Sequence, residues 1–158
     1  MPEALAEIYT DGSCHTQYRT GTWVAIVFTG AKKEVLSGIV QHTTHNRMEL
    51  MAVIKGVQWM VIHCKNVTCI RIYTDSQYVT GLPARKEKIV SSHFTTQKGK
   101  ALQNADLVKV FFELRSAQSI ELIKIRAHQK QDDTINYNRE ADMLCRRLLR
   151  KAVENDSD

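Results

Sequence analysis

The sequence predicts a mixed α/β domain, one sheet flanked by helices. Three observations lead there. The first 40 residues carry three short stretches of strand character. A helical period then sets in between residues 45 and 63. Beyond it, strand-like and helix-like stretches alternate to the end of the chain.

Residues 5–9 form a short β-compatible stretch. Residues 22–28 and 34–40 follow, parted around Thr29, Gly30, Ala31 and Lys32, and that spacing reads as an antiparallel meander. Leu50, Val53, Ile54, Val57, Met60 and Val61 then recur at helical spacing, so about 45–63 is an amphipathic helix. Residues 67–73 are rich in β-branched side chains and read as a strand. A short helix is expected to begin at Ser76. Pro83 interrupts, and 83–104 is polar and basic, with the character of a loop. Residues 105–116 read as a helix, 120–127 as a strand and 137–153 as a terminal helix.

The 158 residues favour one domain, 1–153, with an acidic and flexible tail at 154–158. With 43% hydrophobic and 25% charged residues, the composition is that of an ordinary globular protein. No apolar run approaches the roughly 18 residues of a membrane span. Met1, Pro2 and Glu3 do not open a signal-peptide pattern. A cytoplasmic monomer without membrane association is therefore expected. Cys14, Cys64, Cys69 and Cys145 form no CxxC pair and read as reduced thiols, with Cys69 and Cys145 in the core. The formal net charge is +5, and three of the 17 acids fall in the last five residues. A body more basic than the whole attracts polyanions, nucleic acid among them.

Four acids draw attention by context. Asp11 ends the first strand, in Tyr9-Thr10-Asp11-Gly12-Ser13. Glu49 sits in the first turn of the long helix, in Asn46-Arg47-Met48-Glu49. Asp75 ends the fourth strand, before Ser76. Asp142 lies early in the terminal helix, in Asn138-Arg139-Glu140-Ala141-Asp142. Each has an ordinary explanation. Asp-Gly is a common turn pair. Asp75 suits a helix cap. Asn46 and Glu49 resemble a capping box. Asp142 suits the helix dipole. Their combination calls for more, because several converging acids are what hard divalent cations such as Mg²⁺ require.

The stretches 9–14 (Tyr-Thr-Asp-Gly-Ser-Cys), 44–52 (Thr-His-Asn-Arg-Met-Glu-Leu-Met-Ala), 73–79 (Tyr-Thr-Asp-Ser-Gln-Tyr-Val) and 138–142 resemble type 1 ribonuclease H, bacterial ribonuclease HI. Their order and spacing match over roughly residues 5–150. The resemblance implies a ribonuclease H-like fold with a five-stranded mixed sheet, and Asp11 and Asp75 on adjacent central strands. It implies an endonuclease that cuts the RNA strand of RNA–DNA hybrids. Two Mg²⁺ ions, with Mn²⁺ as a substitute, would be held by Asp11, Glu49, Asp75 and Asp142. One activates water, the other stabilises the leaving 3′ oxygen, and the products carry 5′-phosphate and 3′-hydroxyl ends. His128, in the loop before the terminal helix, maps to a proton-transfer or product-release role. A loop histidine titrating near neutral pH suits that task.

The same resemblance places Gly12, Cys14, Gln17, Asn46, Glu49 and Gln77 along the hybrid's minor groove, where the 2′-hydroxyl distinguishes RNA. Thr44 and Gln17 map to a pocket for a DNA-strand phosphate. His45 stands where Asn is common. Residues 15–20 lack the Gly/Pro-rich character of many relatives. Arg85, Lys86, Lys88, Lys98 and Lys100 map to a basic protrusion that grips the DNA strand, here without tryptophan. Two other readings compete: another nuclease of the same broad fold, and an inactive hybrid-binding module. The second predicts loss of a metal carboxylate, and all four are present.

Overall fold

A computed structural model describes residues 4–126 and 133–156. Five strands, β1 (Ala4–Cys14), β2 (Gly21–Thr29), β3 (Lys32–Val40), β4 (Val67–Thr74) and β5 (Ile120–Lys124), form one sheet in the order β3-β2-β1-β4-β5. The first three are antiparallel neighbours, and β4 and β5 run parallel to β1. Four helices accompany them: α1 (His45–His63), α2 (Gln77–Ser91), α3 (Ala105–Ala117) and α4 (Asp133–Asp156). The mixed sheet expected from the sequence is present. No helix among the described residues is long and apolar enough to cross a membrane.

The centre of the sheet is covered on both faces, which explains the near-continuous apolar run of β2. Trp23, Ala25 and Val27 face one cluster, with Ile8 of β1 and the buried side of α1. Val24 and Ile26 face the other, with Tyr9, Tyr73, Ala141 and Cys145. Edge strand β3 is mostly exposed, Val35 and Ile39 included.

Several elements depart from their predicted bounds. β1 runs on to Cys14, so Asp11 pairs with Val24 and Gly12 with Trp23 inside the ladder. The Asp-Gly pair is therefore not a turn. α2 runs through Pro83 to Ser91. Proline inside a helix costs about 3 kcal/mol, but Val79, Leu82 and Ile89 are buried from the same helix, at roughly 1.5–3 kcal/mol each. Packing outweighs the break, and Arg85, Lys86 and Lys88 lie on a helix rather than in a loop. β5 ends at Lys124. α4 begins four residues earlier than expected and continues through Asp156, taking in part of the supposed tail. Cys145 is buried, while Cys69 is only half-buried; all four cysteines are free thiols.

Gly12 shows how closely α1 and β1 meet. A Cβ there would lie 2.4 Å from the Glu49 amide nitrogen and 2.6 Å from the Met48 carbonyl carbon. These are backbone atoms that cannot swing aside. Gly12→Ala is expected to destabilise the fold by about 2–3 kcal/mol through overpacking. Urea denaturation checks this; unchanged stability would mean that the helix yields freely.

Candidate active site

Asp11, Glu49 and Asp75 come from three separate elements and meet at one end of the central strands. One carboxylate oxygen from each lies within 4.8 Å of the others. β1 supplies Asp11, and the turn after β4 supplies Asp75. β1 and β4 are adjacent and parallel, so their C-terminal ends present the two acids side by side. α1 brings Glu49 across Gly12.

The ordinary explanations for these acids fail locally. The cap of α1 is Thr44, whose Oγ1 accepts from the Arg47 amide at 3.2 Å. Asn46 and Glu49 are therefore not a capping box. The cap of α2 is Ser76, whose Oγ accepts from the Val79 amide at 3.2 Å, so Asp75 is not the cap. Asp142 stands ten residues into α4, well past the first turn. None of the four is held in place by the local role first open to it.

Glu49 is 1% exposed, and its Oε2 is buried with no hydrogen-bond partner among the described residues. Its Oε1 lies 3.3 Å from His45 Nε2. An unpartnered buried carboxylate oxygen is costly, and a cation is the natural complement. Burial pushes the Asp11 carboxyl up to about 9, and the neighbouring charges of Glu49, Asp75 and Asp142 push the same way. Burial likewise raises Glu49, against the opposing His45 hydrogen bond. Asp75 is raised by burial, with Asp142 adding to it. Asp142 reaches the cluster from the Asp11 side, within hydrogen-bonding reach of that carboxyl. Its Oδ1 also accepts from Arg146 Nε at 3.0 Å. Carboxylates gathered this closely, one with a buried unpartnered oxygen, suit a hard divalent ion.

The other predicted residues fall as follows. Gly12 lies beneath Glu49. Cys14 Sγ donates to the Thr43 carbonyl at 3.4 Å, next to the Thr44 cap. Gln17, His45, Asn46 and Gln77 are exposed. Arg85, Lys86 and Lys88 are exposed on α2, and Lys98 and Lys100 in the segment after it. Lys86 Nζ sits 5.8 Å from the Phe112 ring centre. His128 lies outside the described residues. One contact escaped the sequence reading. The Arg47 guanidinium donates to both carboxylate oxygens of Asp106, at 2.9 and 2.7 Å, and holds that carboxyl down to about 2. It ties the start of α1 to the start of α3, where the basic segment ends. Its partners are 59 residues apart, and no local pattern announces such a pair.

Fold and site together define a hydrolase of the ribonuclease H class. The family model for RNase H matches residues 3–150. A ribonuclease H of Caldanaerobacter subterraneus subsp. tengcongensis is 31% identical over 155 residues, covering 96% of this chain and 95% of its own. One from Wolbachia sp. subsp. Drosophila simulans is 33% identical over 150 residues, covering 94% and 98%. Among solved structures, LC9-RNase H1, described as a type 1 RNase H with the type 2 active-site motif, superposes with a TM-score of 0.73. It is 21% identical, over 91% of this chain and 71% of that one, and supports the fold. The chain belongs to the RNase H family, and is an enzyme of that kind.

The raised Asp11 carboxyl makes a prediction about stability. An unfolded aspartate ionises near its ordinary 3.8, and the folded one near 9. Between these values the folded state holds the extra proton, so stability of the metal-free protein falls as pH rises through that window. Asp11→Asn removes the penalty. In EDTA the variant should melt above the wild type at pH 8, by roughly 2–4 °C for each kcal/mol relieved, and the gap should narrow toward pH 4. Thermal melts across pH decide it; a variant that melts lower at pH 8 contradicts the assignment.

Proposed function

We propose that this protein is an endonuclease that hydrolyses the RNA strand of RNA–DNA hybrids with two Mg²⁺ ions, leaving 5′-phosphate and 3′-hydroxyl ends. The observation that carries this reading is the meeting of Asp11, Glu49 and Asp75 within 4.8 Å, with one Glu49 oxygen buried and unpartnered. Asp142 completes the set from α4. Bound there, the ions would supply an activated water and charge stabilisation at the leaving 3′ oxygen. The chain's own residues do the rest. The carboxylates of Asp11, Glu49, Asp75 and Asp142 would hold the ions. His128 carries a proton to or from the reacting groups, or helps product leave. Gly12, Cys14, Gln17, Asn46 and Gln77 read the RNA strand, and His45 lies at the same rim beside Glu49. Thr44 and Gln17 take a DNA-strand phosphate. The exposed cations Arg85, Lys86, Lys88, Lys98 and Lys100 bind the DNA strand.

The test is cleavage of end-labelled hybrid, with and without Mg²⁺, beside single-stranded and duplex RNA. Cutting confined to the RNA of the hybrid, dependent on Mg²⁺ and abolished in Asp75→Asn, is expected. Equal cutting of duplex RNA, or full activity in Asp75→Asn, would overturn the reading. His128→Ala should slow turnover about 10- to 1000-fold and leave hybrid binding nearly intact.

The basic residues generate a separate prediction. Replacing Lys86, Lys88, Lys98 and Lys100 with alanine should raise KM and leave kcat within a few-fold, the mark of lost uniform binding. The slope of log K against log salt should shrink by up to about 0.9 per lost phosphate contact. A quadruple variant with unchanged KM and salt slope would remove this segment from the binding surface.

A further inference from the structure

The reading of Asp142 as a metal carboxylate raises a structural question. Asp11 and Asp75 sit on or next to hydrogen-bonded strands, and Glu49 is clamped by the backbone at Gly12. Asp142 rides on the second sheet-packed helix, α4, on the opposite face of the sheet. Apolar contacts from Ala141, Leu144 and Leu148 hold α4 against that sheet. Burial of this kind is non-directional and tolerates sliding. A shift of one residue along a helix moves a side chain by about 1.5 Å, whereas a catalytic constellation tolerates about 0.5 Å. Something directional must fix the helix along its axis.

The buried threonine of β2 supplies it. Thr22 is 0% exposed, and its Oγ1 donates to the backbone carbonyl of Cys145 at 2.9 Å. The same hydroxyl lies 3.1 Å from Cys145 Sγ. That thiol in turn lies 3.3 Å from the Thr22 carbonyl and 3.9 Å from the Asp11 carbonyl. Cys145 follows Asp142 by three residues, about 4.5 Å along the helix, on the side that faces β1 and β2. The strand hydroxyl thus grips the helix backbone one turn from the carboxylate and beside the strand residue it must meet. Two residues before Asp142, Glu140 receives Lys33 at 2.8 Å, but that pair is exposed on both sides and weakly directional. The buried tie is the stronger constraint.

We infer that Thr22 is a positioning residue. Its hydroxyl, bonded to the Cys145 carbonyl, sets the axial register of α4 and so the seat of Asp142 against Asp11. The inference rests on the reading of Asp142 as a metal carboxylate. Thr22 touches neither cation nor substrate on this account, so its loss appears as weakened metal binding with an intact hybrid KM.

The test uses the full chain with Thr22→Val, which keeps the shape and removes the hydroxyl, and Thr22→Ser, which keeps the hydroxyl. Mn²⁺ binding is followed by calorimetry and by the rise in melting temperature that the metal produces. Thr22→Val should weaken Mn²⁺ binding and lower kcat about 3- to 10-fold, the loss of one buried hydrogen bond, and Thr22→Ser should restore most of it. In an Asp142→Asn background, Thr22→Val should cost little further, because its effect acts through Asp142. Equal Mn²⁺ affinity in wild type and Thr22→Val, or an undiminished Thr22→Val effect in the Asp142→Asn background, would overturn the inference. If Thr22→Val does not fold, Thr22→Ala against Thr22→Ser, both lacking the methyl group, makes the same comparison. Asp142→Asn with wild-type Mn²⁺ binding and activity would instead overturn the reading of Asp142 itself.

Discussion

Gathering the carboxylates of Asp11, Glu49 and Asp75 within 4.8 Å opposes folding twice, through loss of hydration and through mutual repulsion. The carboxyls of Asp11, Glu49 and Asp75 are all displaced upward by burial before their mutual charge is counted. Everything else in the structure is arranged so that the scaffold bears this opposition. Two parallel central strands end together and carry Asp11 and Asp75. A glycine in the ladder lets α1 approach until Glu49 lies over the strand. A helix packed across the other face of the sheet delivers Asp142.

The apolar layers are what make this arrangement affordable. β1 and β4 each contribute side chains to both apolar cores, so the strands that bear the site cannot shift without disrupting two cores. Local polar contacts then free the acids from structural duty. Thr44 and Ser76 cap the helices beside the site, so Glu49 and Asp75 take no part in the caps. Arg47 holds the far end of the basic segment through Asp106. The helix bearing Asp142 is joined to β2 through Thr22 and to β3 through Lys33 and Glu140.

Much of this was legible in the sequence, for definite reasons. The order of strands and helices followed from β-branched and apolar stretches set against the helical spacing of residues 45–63. Asp11, Glu49, Asp75 and Asp142 stood out by motif, and the structure brings the first three together with Asp142 beside Asp11. What was hidden depends on long-range contact. Pro83 looked like a break because proline's cost is local, while the burial of Val79, Leu82 and Ile89 that offsets it is tertiary. Asn46 looked like a cap, yet Thr44 takes that role two residues earlier. The Thr22–Cys145 bond spans 123 residues and joins a strand hydroxyl to a helix carbonyl, with no charge or motif to mark either residue. Neither helix bounds nor spacing could announce it.

On the proposed function, a divalent cation complements an acid cluster whose Asp11, Glu49 and Asp75 carboxyls are raised by burial. Proton release on metal binding tests it most directly. Mg²⁺ or Mn²⁺ is titrated into the metal-free protein at pH 7 by calorimetry, in buffers of different ionisation enthalpy. Asp11, raised to about 9, is protonated at that pH without metal, so binding should release about one proton per protein, as ligand deprotonation requires. Binding with no proton release, or no binding at millimolar metal, would contradict the account.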